Sequence, residues 1–424
     1  MESDNIETLT DVEAQTETGT WLGTSRHSDA DSMRREFGLR SFDPDAFPYE
    51  SVVPGCLKHA RDNSAWSAAG GTDFMGFGAP GAGKSTLGLH WSINLLDINN
   101  RPGMQEAVVW RGSESRSEWT PLAPWATVCL PESCDMEVSL ASTSDGGSRP
   151  VALEDVVREV RRYEDPEDLF ANHIEPGKFH VVYPDPAFRG CQDLYERSPK
   201  RYDLEFQEGD PVGHWWIAAA LARVEYGPFD VFTSFILDEV GDFLSQDASK
   251  DTYSTYQKVN LFQDVYVDAR KYGVSFFSFG HSRAAVHGKI RRKVRWEITM
   301  NGLANPTKDS QVVGDRSVPM NTDLSSSLPT GKGVMWTGTN FCYPFTWSDV
   351  PKWTDEELRV SLSVRAPSDP EAAPTGSQSG DPTAREVRSD GGESENTGSS
   401  VSLSKFSTTD APRGTNDESG GDSP

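Results

Sequence analysis

The feature that most constrains this 424-residue chain is the run GAPGAGKS at residues 78–85. A short apolar run at 72–78 comes directly before it, and a helical pattern opens at Ser85. Glycines in such a loop let backbone N–H groups turn inward and approach phosphate oxygens that a Cβ would keep away. The pattern therefore predicts a strand, a glycine loop and a helix that together bind phosphate.

Individual positions of this loop have expected roles, and the spacing is that of a Walker A motif. Lys84 is expected to place a positive charge on the β- and γ-phosphates of ATP, and the Ser85 hydroxyl to ligate Mg²⁺. The helix that begins there favours the anion through its dipole. The residues expected to contact the nucleotide are Gly78, Ala79, Pro80, Gly81, Ala82, Gly83, Lys84, Ser85 and Thr86.

A second apolar run, residues 231–237, ends in two acids, Asp238 and Glu239. Open α/β sheets keep their ligands at the carboxyl ends of the strands, which is where these acids would lie. We expect Asp238 to bind Mg²⁺, as Walker B acids do, and Glu239 to be the general base for the attacking water. Because that pairing suits hydrolysis better than transfer to a second substrate, the chain is predicted to be an ATPase.

The next apolar run, residues 274–279, leads to Gly280, His281 and Ser282. A sensor of the γ-phosphate would lie at such a strand end, so His281 or Ser282 is expected to hydrogen-bond the phosphate or the water. A purely structural hydrogen bond is the alternative for His281.

Arg291 opens a basic run that extends to residue 295, and it is the remaining candidate catalytic residue. It has three interpretations. Arg291 is an arginine finger that reaches the ATP of a neighbouring subunit, or it contacts DNA phosphates, or it belongs to a solvated charged turn.

Apolar runs that alternate with helical patterns predict an α/β fold with a mostly parallel central sheet flanked by helices. Residues 333–337 and 341–347 flank a Gly-Thr-Asn turn and predict a terminal β-hairpin. Further strands are expected at 107–110, 179–183, 231–237, 274–279 and 294–300, and helices at 153–163, 214–225 and 253–272.

Composition divides the chain into three parts. Residues 1–48 and 363–424 are acidic and poor in aliphatic side chains, so both are predicted to be largely disordered, the second as a Gly/Ser-rich tail. The P-loop ATPase domain is expected at 49–362, with an insertion at about 112–178 where Ser, Glu, Pro and Asp prevail.

The net charge is −25, and 27 of the 40 basic residues are arginine. A lysine-poor, acid-rich surface favours solubility in very high salt, so we expect a halophilic source. Five cysteines without a CxxC motif indicate a reducing compartment. The first residues lack an apolar signal region, and no apolar run approaches the ~20 residues of a membrane span. We expect a cytoplasmic protein without a transmembrane segment.

The order of these motifs resembles that of the FtsK/HerA superfamily of P-loop ATPases. The resemblance covers about residues 72–347: a Walker A motif, a Walker B strand ending in Asp238-Glu239, a polar sensor strand, the Ile290-Arg291 element and a closing hairpin. The group includes DNA translocases, packaging ATPases of membrane-containing viruses and Zot-like assembly proteins. The resemblance implies a RecA-like fold, a homo-oligomeric ring and DNA as a partner.

The function that this resemblance implies is ATP hydrolysis coupled to DNA translocation, for viral genome packaging or virion assembly. A capsid protein or a membrane-associated virion protein would dock the ATPase, which would work in the host cytoplasm or with the virion. The acidic composition then suggests a haloarchaeal virus or plasmid. The alternatives are a nucleotide-dependent binding switch, a plasmid DNA-transfer ATPase and a small-molecule kinase.

Overall fold

A computed structural model describes residues 57, 73–99, 105–114, 116–142, 146–303, 328–337, 342–347, 350 and 356–365. The chain divides into two units, residues 1–367 and 368–424, and every described residue belongs to the first. The acidic segment predicted at 1–48, and nearly all of the one predicted at 363–424, lie outside the described residues.

The strands of the described residues fall into two sheets. They are β1 (Phe74–Phe77), β2 (Glu106–Arg111), β3 (Ala126–Pro131), β4 (Cys134–Ser142), β5 (Ser148–Pro150), β6 (Glu159–Tyr163), β7 (Phe179–Val182), β8 (Phe232–Leu237), β9 (Val274–Gly280), β10 (Trp296–Met300), β11 (Lys332–Trp336), β12 (Cys342–Thr346) and β13 (Glu356–Val364). The large sheet has ten strands in the order β12-β11-β10-β1-β9-β8-β2-β7-β3-β6. Neighbours from β10 to β6 run parallel, and β11 and β12 add antiparallel at one edge.

Helices cover both faces of this sheet. They are α1 (Lys84–Ile98), α2 (Cys191–Arg197), α3 (Trp215–Glu225), α4 (Thr255–Ala269) and α5 (Gly288–Arg291), with a short helical stretch at Pro166–Asp168 and Leu169–His173. Alternate residues of a strand face opposite sides of a sheet. Phe74 accordingly packs in the cluster that contains Trp91 of α1, whereas Met75 belongs to the cluster that contains Trp216 of α3 and Phe262 of α4. Because both faces are buried, β1 is apolar throughout.

The observed architecture confirms the predicted fold class, a mostly parallel α/β sheet flanked by helices with a terminal hairpin. The hairpin strands β11 and β12 pair as expected, although its turn at 338–340 lies outside the described residues. The strands and helices predicted at 107–110, 179–183, 214–225 and 253–272 also appear, within a few residues at each end.

The helix predicted at 153–163 is wrong. Only a 3₁₀ turn forms at Leu153–Asp155, and Glu159–Tyr163 is β6, which pairs in parallel with β3. The spacing of the apolar residues there fits a helix, but pairing with β3 satisfies the backbone of an edge strand instead. Tertiary context of this kind routinely overrides a local preference.

The stretch at 112–178, predicted as an insertion, contributes to both sheets. β3 and β6 belong to the large sheet, while β4 and β5 join β13 in a three-stranded antiparallel sheet. β13 ends at Val364, just past the predicted end of the ATPase domain at 362. Whether this stretch is inserted relative to similar proteins stays a prediction. In the described part of the chain, no helix has the length and apolar character needed to cross a bilayer.

Candidate nucleotide site

Three neighbouring parallel strands bring most of the predicted site residues to one edge of the sheet. β1 leads into the glycine loop (residues 78–85), β8 is followed by Asp238 and Glu239, and β9 leads to His281. β9 lies between β1 and β8. Since parallel strands end at the same edge, residues far apart in sequence converge there.

Two glycines shape the glycine loop. Gly81 and Gly83 have φ angles of 78° and 89°, in the left-handed region that suits residues without a Cβ. The chain turns tightly around Pro80, where the amide of Ala82 donates to the carbonyl of Ala79 at 3.1 Å. Gly83 directly precedes α1, so the loop ends at a helix N-terminus. That arrangement is suited to binding an anion.

The strands beside β1 anchor the start of the loop. The amide of Gly78 donates to the carbonyl of Gly280 at 3.2 Å, and the amide of Ala79 donates to the carbonyl of Asn301 at 3.0 Å. Gly280 ends β9, and Asn301 follows β10. Thr86, the last predicted contact residue, lies in the first turn of α1. Both flanking strands therefore fix the path of the loop.

Lys84, near the end of the glycine loop, has a buried side chain that folds back against the start of the loop. Its Nζ donates to the carbonyl of Gly78 at 3.1 Å and lies 3.4 Å from that of Ala79. Burial lowers the pKa of Lys84, while Glu239 and Asp238 oppose that shift. The ammonium group is thus held at the inner side of the glycine loop, where a bound phosphate would compensate its burial.

Ser85 and Asp238 form a pair of oxygen ligands. The Ser85 hydroxyl donates to Asp238 Oδ2 at 3.3 Å, and the Asp238 side chain is 9% exposed. Hydroxyl and carboxylate oxygens are the ligands that Mg²⁺ prefers. The residues present therefore fit the predicted magnesium site, in which Ser85 and Asp238 would hold the ion.

His281 bridges Lys84 and Glu239. Its Nδ1 lies 3.1 Å from Lys84 Nζ, and its Nε2 lies 2.9 Å from Glu239 Oε1. Lysine can only donate, so His281 Nδ1 accepts, and the Nε2–H donates to the carboxylate. His281 therefore links the two residues, so a movement of the Lys84 ammonium can be transmitted to Glu239 through one imidazole ring.

Glu239 has an unusual backbone, with φ 49° and ψ 52°. A residue with a side chain rarely adopts this left-handed conformation, and such strain collects at functional sites. Arg111 stabilises this backbone conformation, because its Nη1 donates to the carbonyl of Glu239 at 3.1 Å and also to that of Asp238. Burial lowers the pKa of Arg111, partly opposed by Asp242. Its guanidinium lies over the ring of Phe243.

We expect Arg111→Gln to lower the free energy of unfolding by about 1–3 kcal/mol, because buried carbonyl groups lose their donor. Arg162→Gln is the matched control, since that guanidinium also donates to two backbone carbonyls but belongs to an exposed residue. Denaturant unfolding of both variants measures the difference. Equal stability of the two would show that Arg111 does not support this turn.

The terminal hairpin contacts the glycine loop from the other side. The indole Nε1 of Trp347 donates to the carbonyl of Gly83 at 3.1 Å, and the Thr330 hydroxyl donates to that of Gly81 at 3.2 Å. The Trp347 amide in turn donates to the carbonyl of Gly331 at 3.0 Å. The hairpin ends thus fix the two carbonyls of the left-handed glycines.

Ser282 and Arg291 lie on the elements that follow β9. The Ser282 hydroxyl accepts from the amide of Ala284 at 3.2 Å and caps a 3₁₀ turn, and its contact with phosphate stays a prediction. Arg291 ends α5, and Lys289 of the same helix donates to Tyr256 of α4 at 3.0 Å. Contact of Arg291 with the nucleotide of a second subunit stays a prediction.

Sequence reasoning missed four residues of the site, Arg111, Arg116, Thr330 and Trp347. Arg111 follows directly on a predicted strand, so its position at the carboxyl edge could have indicated it. Arg116 lies in the stretch treated as an insertion, and it forms ion pairs with Glu239 at 3.2 Å and Asp238 at 3.6 Å. No local pattern marks Arg116, Thr330 or Trp347.

Comparison with known proteins gives low-scoring structural likenesses. No protein-family model matches the chain, and no curated protein sequence matches it either. One similar solved structure is the genome packaging NTPase B204 from Sulfolobus turreted icosahedral virus 2, at 12% identity and TM-score 0.34, covering 64% of this chain and 94% of that one. TM-scores of this size do not establish a shared fold, so the fold class rests on the strand order above.

Two further likenesses are of the same order. The pCW3 conjugation coupling protein TcpA has 12% identity and TM-score 0.30, over 65% of this chain and 60% of that one. The cytoplasmic domain of the Thermomonospora curvata type VII secretion ATPase EccC has 14% identity and TM-score 0.29, over 69% of this chain and 26% of that one.

Proposed function

We propose that this protein is a Mg²⁺-dependent ATPase that couples hydrolysis to movement of DNA. One observation carries the hydrolysis: the strand ends unite a glycine loop, a buried lysine and the Ser85–Asp238 pair with a glutamate that is hydrogen-bonded to His281. These are the groups that ATP hydrolysis requires, namely a phosphate cradle, a cation, metal ligands and a base.

Each group has a step in this reaction. Lys84 and the amides of the glycine loop bind the β- and γ-phosphates. Glu239 accepts a proton from water as the water oxygen bonds to the γ-phosphorus, and the bond from that phosphorus to the ADP oxygen breaks. When bound at Ser85 and Asp238, Mg²⁺ supplies charge neutralisation. His281 holds Glu239 in position through a hydrogen bond from its Nε2–H. Because His281 also contacts Lys84, binding of phosphate by Lys84 can affect the position of Glu239.

The DNA half of the proposal is supported by the order of motifs, which resembles that of the FtsK/HerA superfamily. We infer a homo-oligomeric ring that packages a viral genome or assembles a virion in the host cytoplasm, docked by a capsid or membrane-associated virion protein. The acidic, arginine-rich composition supports a haloarchaeal virus or plasmid as the source. At molar salt the Debye length is about 3 Å, so the acidic surface would not repel DNA over a long range.

The test measures phosphate release by purified protein in molar KCl with Mg²⁺, with and without double- or single-stranded DNA. We expect hydrolysis that requires Mg²⁺ and increases when one form of DNA is added. Tight ATP binding with slow turnover that DNA does not change would favour a nucleotide-dependent binding switch. Absence of ATP binding would contradict the proposal as a whole.

The role of Arg291 can be decided by a mixing experiment. If Arg291 is a finger, Arg291→Ala should lower the maximal rate without DNA, and mixing this variant with Lys84→Ala subunits should restore part of the activity. The Lys84→Ala subunit then supplies an intact Arg291 to an intact site in its neighbour. Arg201→Ala is the control, because that exposed residue donates to the carbonyl of its own neighbour.

A DNA contact at Arg291 has a different signature. Basal hydrolysis should then stay intact, while DNA affinity falls and depends less steeply on salt. If basal rate, DNA affinity and complementation are all unaffected, Arg291 belongs to a solvated turn.

A further inference from the structure

The stretch that follows β2 brings to the site a cation that the proposed mechanism does not use. Arg116 Nη1 lies 3.2 Å from Glu239 Oε1 and 3.6 Å from Asp238 Oδ2. Its side chain is 35% exposed, whereas those of the two acids are 10% and 9% exposed. Arg116 therefore covers the carboxylate pair from the solvent side.

Two cations and two carboxylates interact electrostatically at this site. Burial lowers the pKa of Arg116, but the charges of Asp238 and Glu239 outweigh burial and leave this pKa raised. Lys84 is influenced by the same two carboxylates and by Arg116. All four groups thus lie within electrostatic reach of one another, at the strand ends where the phosphates are expected.

The position of the γ-phosphate follows from the proposed function. It must lie between Lys84, which binds it, and Glu239, which directs water at it. Arg116 already contacts Glu239 at 3.2 Å, so its guanidinium lies next to the position expected for the γ-phosphate. A guanidinium matches phosphate oxygens with a planar fork of donors.

We propose that Arg116 is a catalytic residue acting in cis, whose guanidinium rests on Asp238 and Glu239 and contacts the γ-phosphate of ATP bound to the same chain. This inference rests on the proposed function and deepens it. It differs from the finger interpretation of Arg291, because it needs no second subunit to complete the site.

The first test compares the affinities of a non-hydrolysable ATP analogue and of ADP in the presence of Mg²⁺. Arg116→Gln should weaken binding of the analogue about tenfold, the effect of one charge-assisted hydrogen bond, and leave ADP unchanged. Arg116→Lys keeps the charge and should fall between wild type and Arg116→Gln. A residue that only positions Glu239 would not distinguish the two nucleotides, so equal effects on both, or none, would overturn the proposal.

The matched control is Arg365→Gln, which breaks an ion pair with Asp135 on the three-stranded sheet. It should change neither affinity. Thermal unfolding of Arg116→Gln checks that the variant is folded.

The second test uses turnover. Arg116→Gln should lower the maximal rate by about a hundredfold or more. Mixing it with Lys84→Ala should restore no activity, because neither subunit then holds both groups in one chain. Recovery on mixing would show that Arg116 acts on a neighbour and would overturn the proposal.

The proposed function and this inference can fail separately. If wild type binds no nucleotide, or if Lys84→Ala binds it as tightly as wild type does, the ATPase proposal is rejected and so is the role of Arg116. If binding depends on Lys84 but Arg116→Gln does not discriminate between the analogue and ADP, only the role of Arg116 is rejected.

Discussion

Replacing Lys84 with alanine should abolish nucleotide binding and turnover. Lys84 is the cation of the glycine loop, and its Nζ already contacts the loop carbonyl of Gly78. Without it, the charge of the β- and γ-phosphates is left uncompensated at the loop. Titration with a fluorescent ATP analogue and an assay of phosphate release measure the two losses.

Lys271→Ala is the control for this variant, because Lys271 is 67% exposed and pairs with nearby Asp268. Lys84→Ala also takes a donor from the carbonyl of Gly78, so thermal unfolding checks that the variant is folded. ATPase activity close to wild type in Lys84→Ala would reject the glycine loop as the phosphate site.

Glu239→Gln should bind ATP and fail to hydrolyse it. The amide still accepts the hydrogen bond from His281 Nε2, but it cannot take a proton from water. The variant should therefore retain ATP, rather than ADP, after gel filtration in the presence of Mg²⁺. Analysis of the retained nucleotide by chromatography, with single-turnover hydrolysis, measures this.

A nearby exposed acid gives the control for Glu239→Gln. Asp247→Asn removes a carboxylate beyond the same strand and should hydrolyse ATP normally. If Glu239→Gln turns over at the wild-type rate, the base is another group. If it binds no ATP at all, Glu239 acts in binding and not in proton transfer.

The parts of the site that share a strand end could be predicted from the sequence. Glycine and lysine types at 78–85 carry a local signal, and so do the paired acids after an apolar run. A parallel sheet alone then predicts that the glycine loop and the paired acids lie together, because the carboxyl ends of its strands meet at one edge. His281 is placed by the same argument, and the structure adds its two partners, Lys84 and Glu239.

The groups that approach from loops could not be predicted in this way. Arg116 and Trp347 reach the site through the path of the backbone between elements, and residue spacing does not determine that path. The sequence of β6 favours a helix for a related reason: whether this segment forms a strand depends on pairing with β3, about thirty residues earlier in the chain. Sequence patterns indicate the secondary structure that one segment prefers, but the secondary structure of β6 is determined by a strand distant in sequence.

The order of the ten-stranded sheet also bears on self-association. Its outer strands in the described part of the chain are β6 and β12. β6 carries Glu159, Arg161 and Arg162, and β12 contains Pro344, which has no N–H to donate. Charges and proline on outer strands hinder the addition of a foreign strand. These two strands are therefore poor sites for adding a strand from a second copy, and a ring built from this chain would draw on other surfaces.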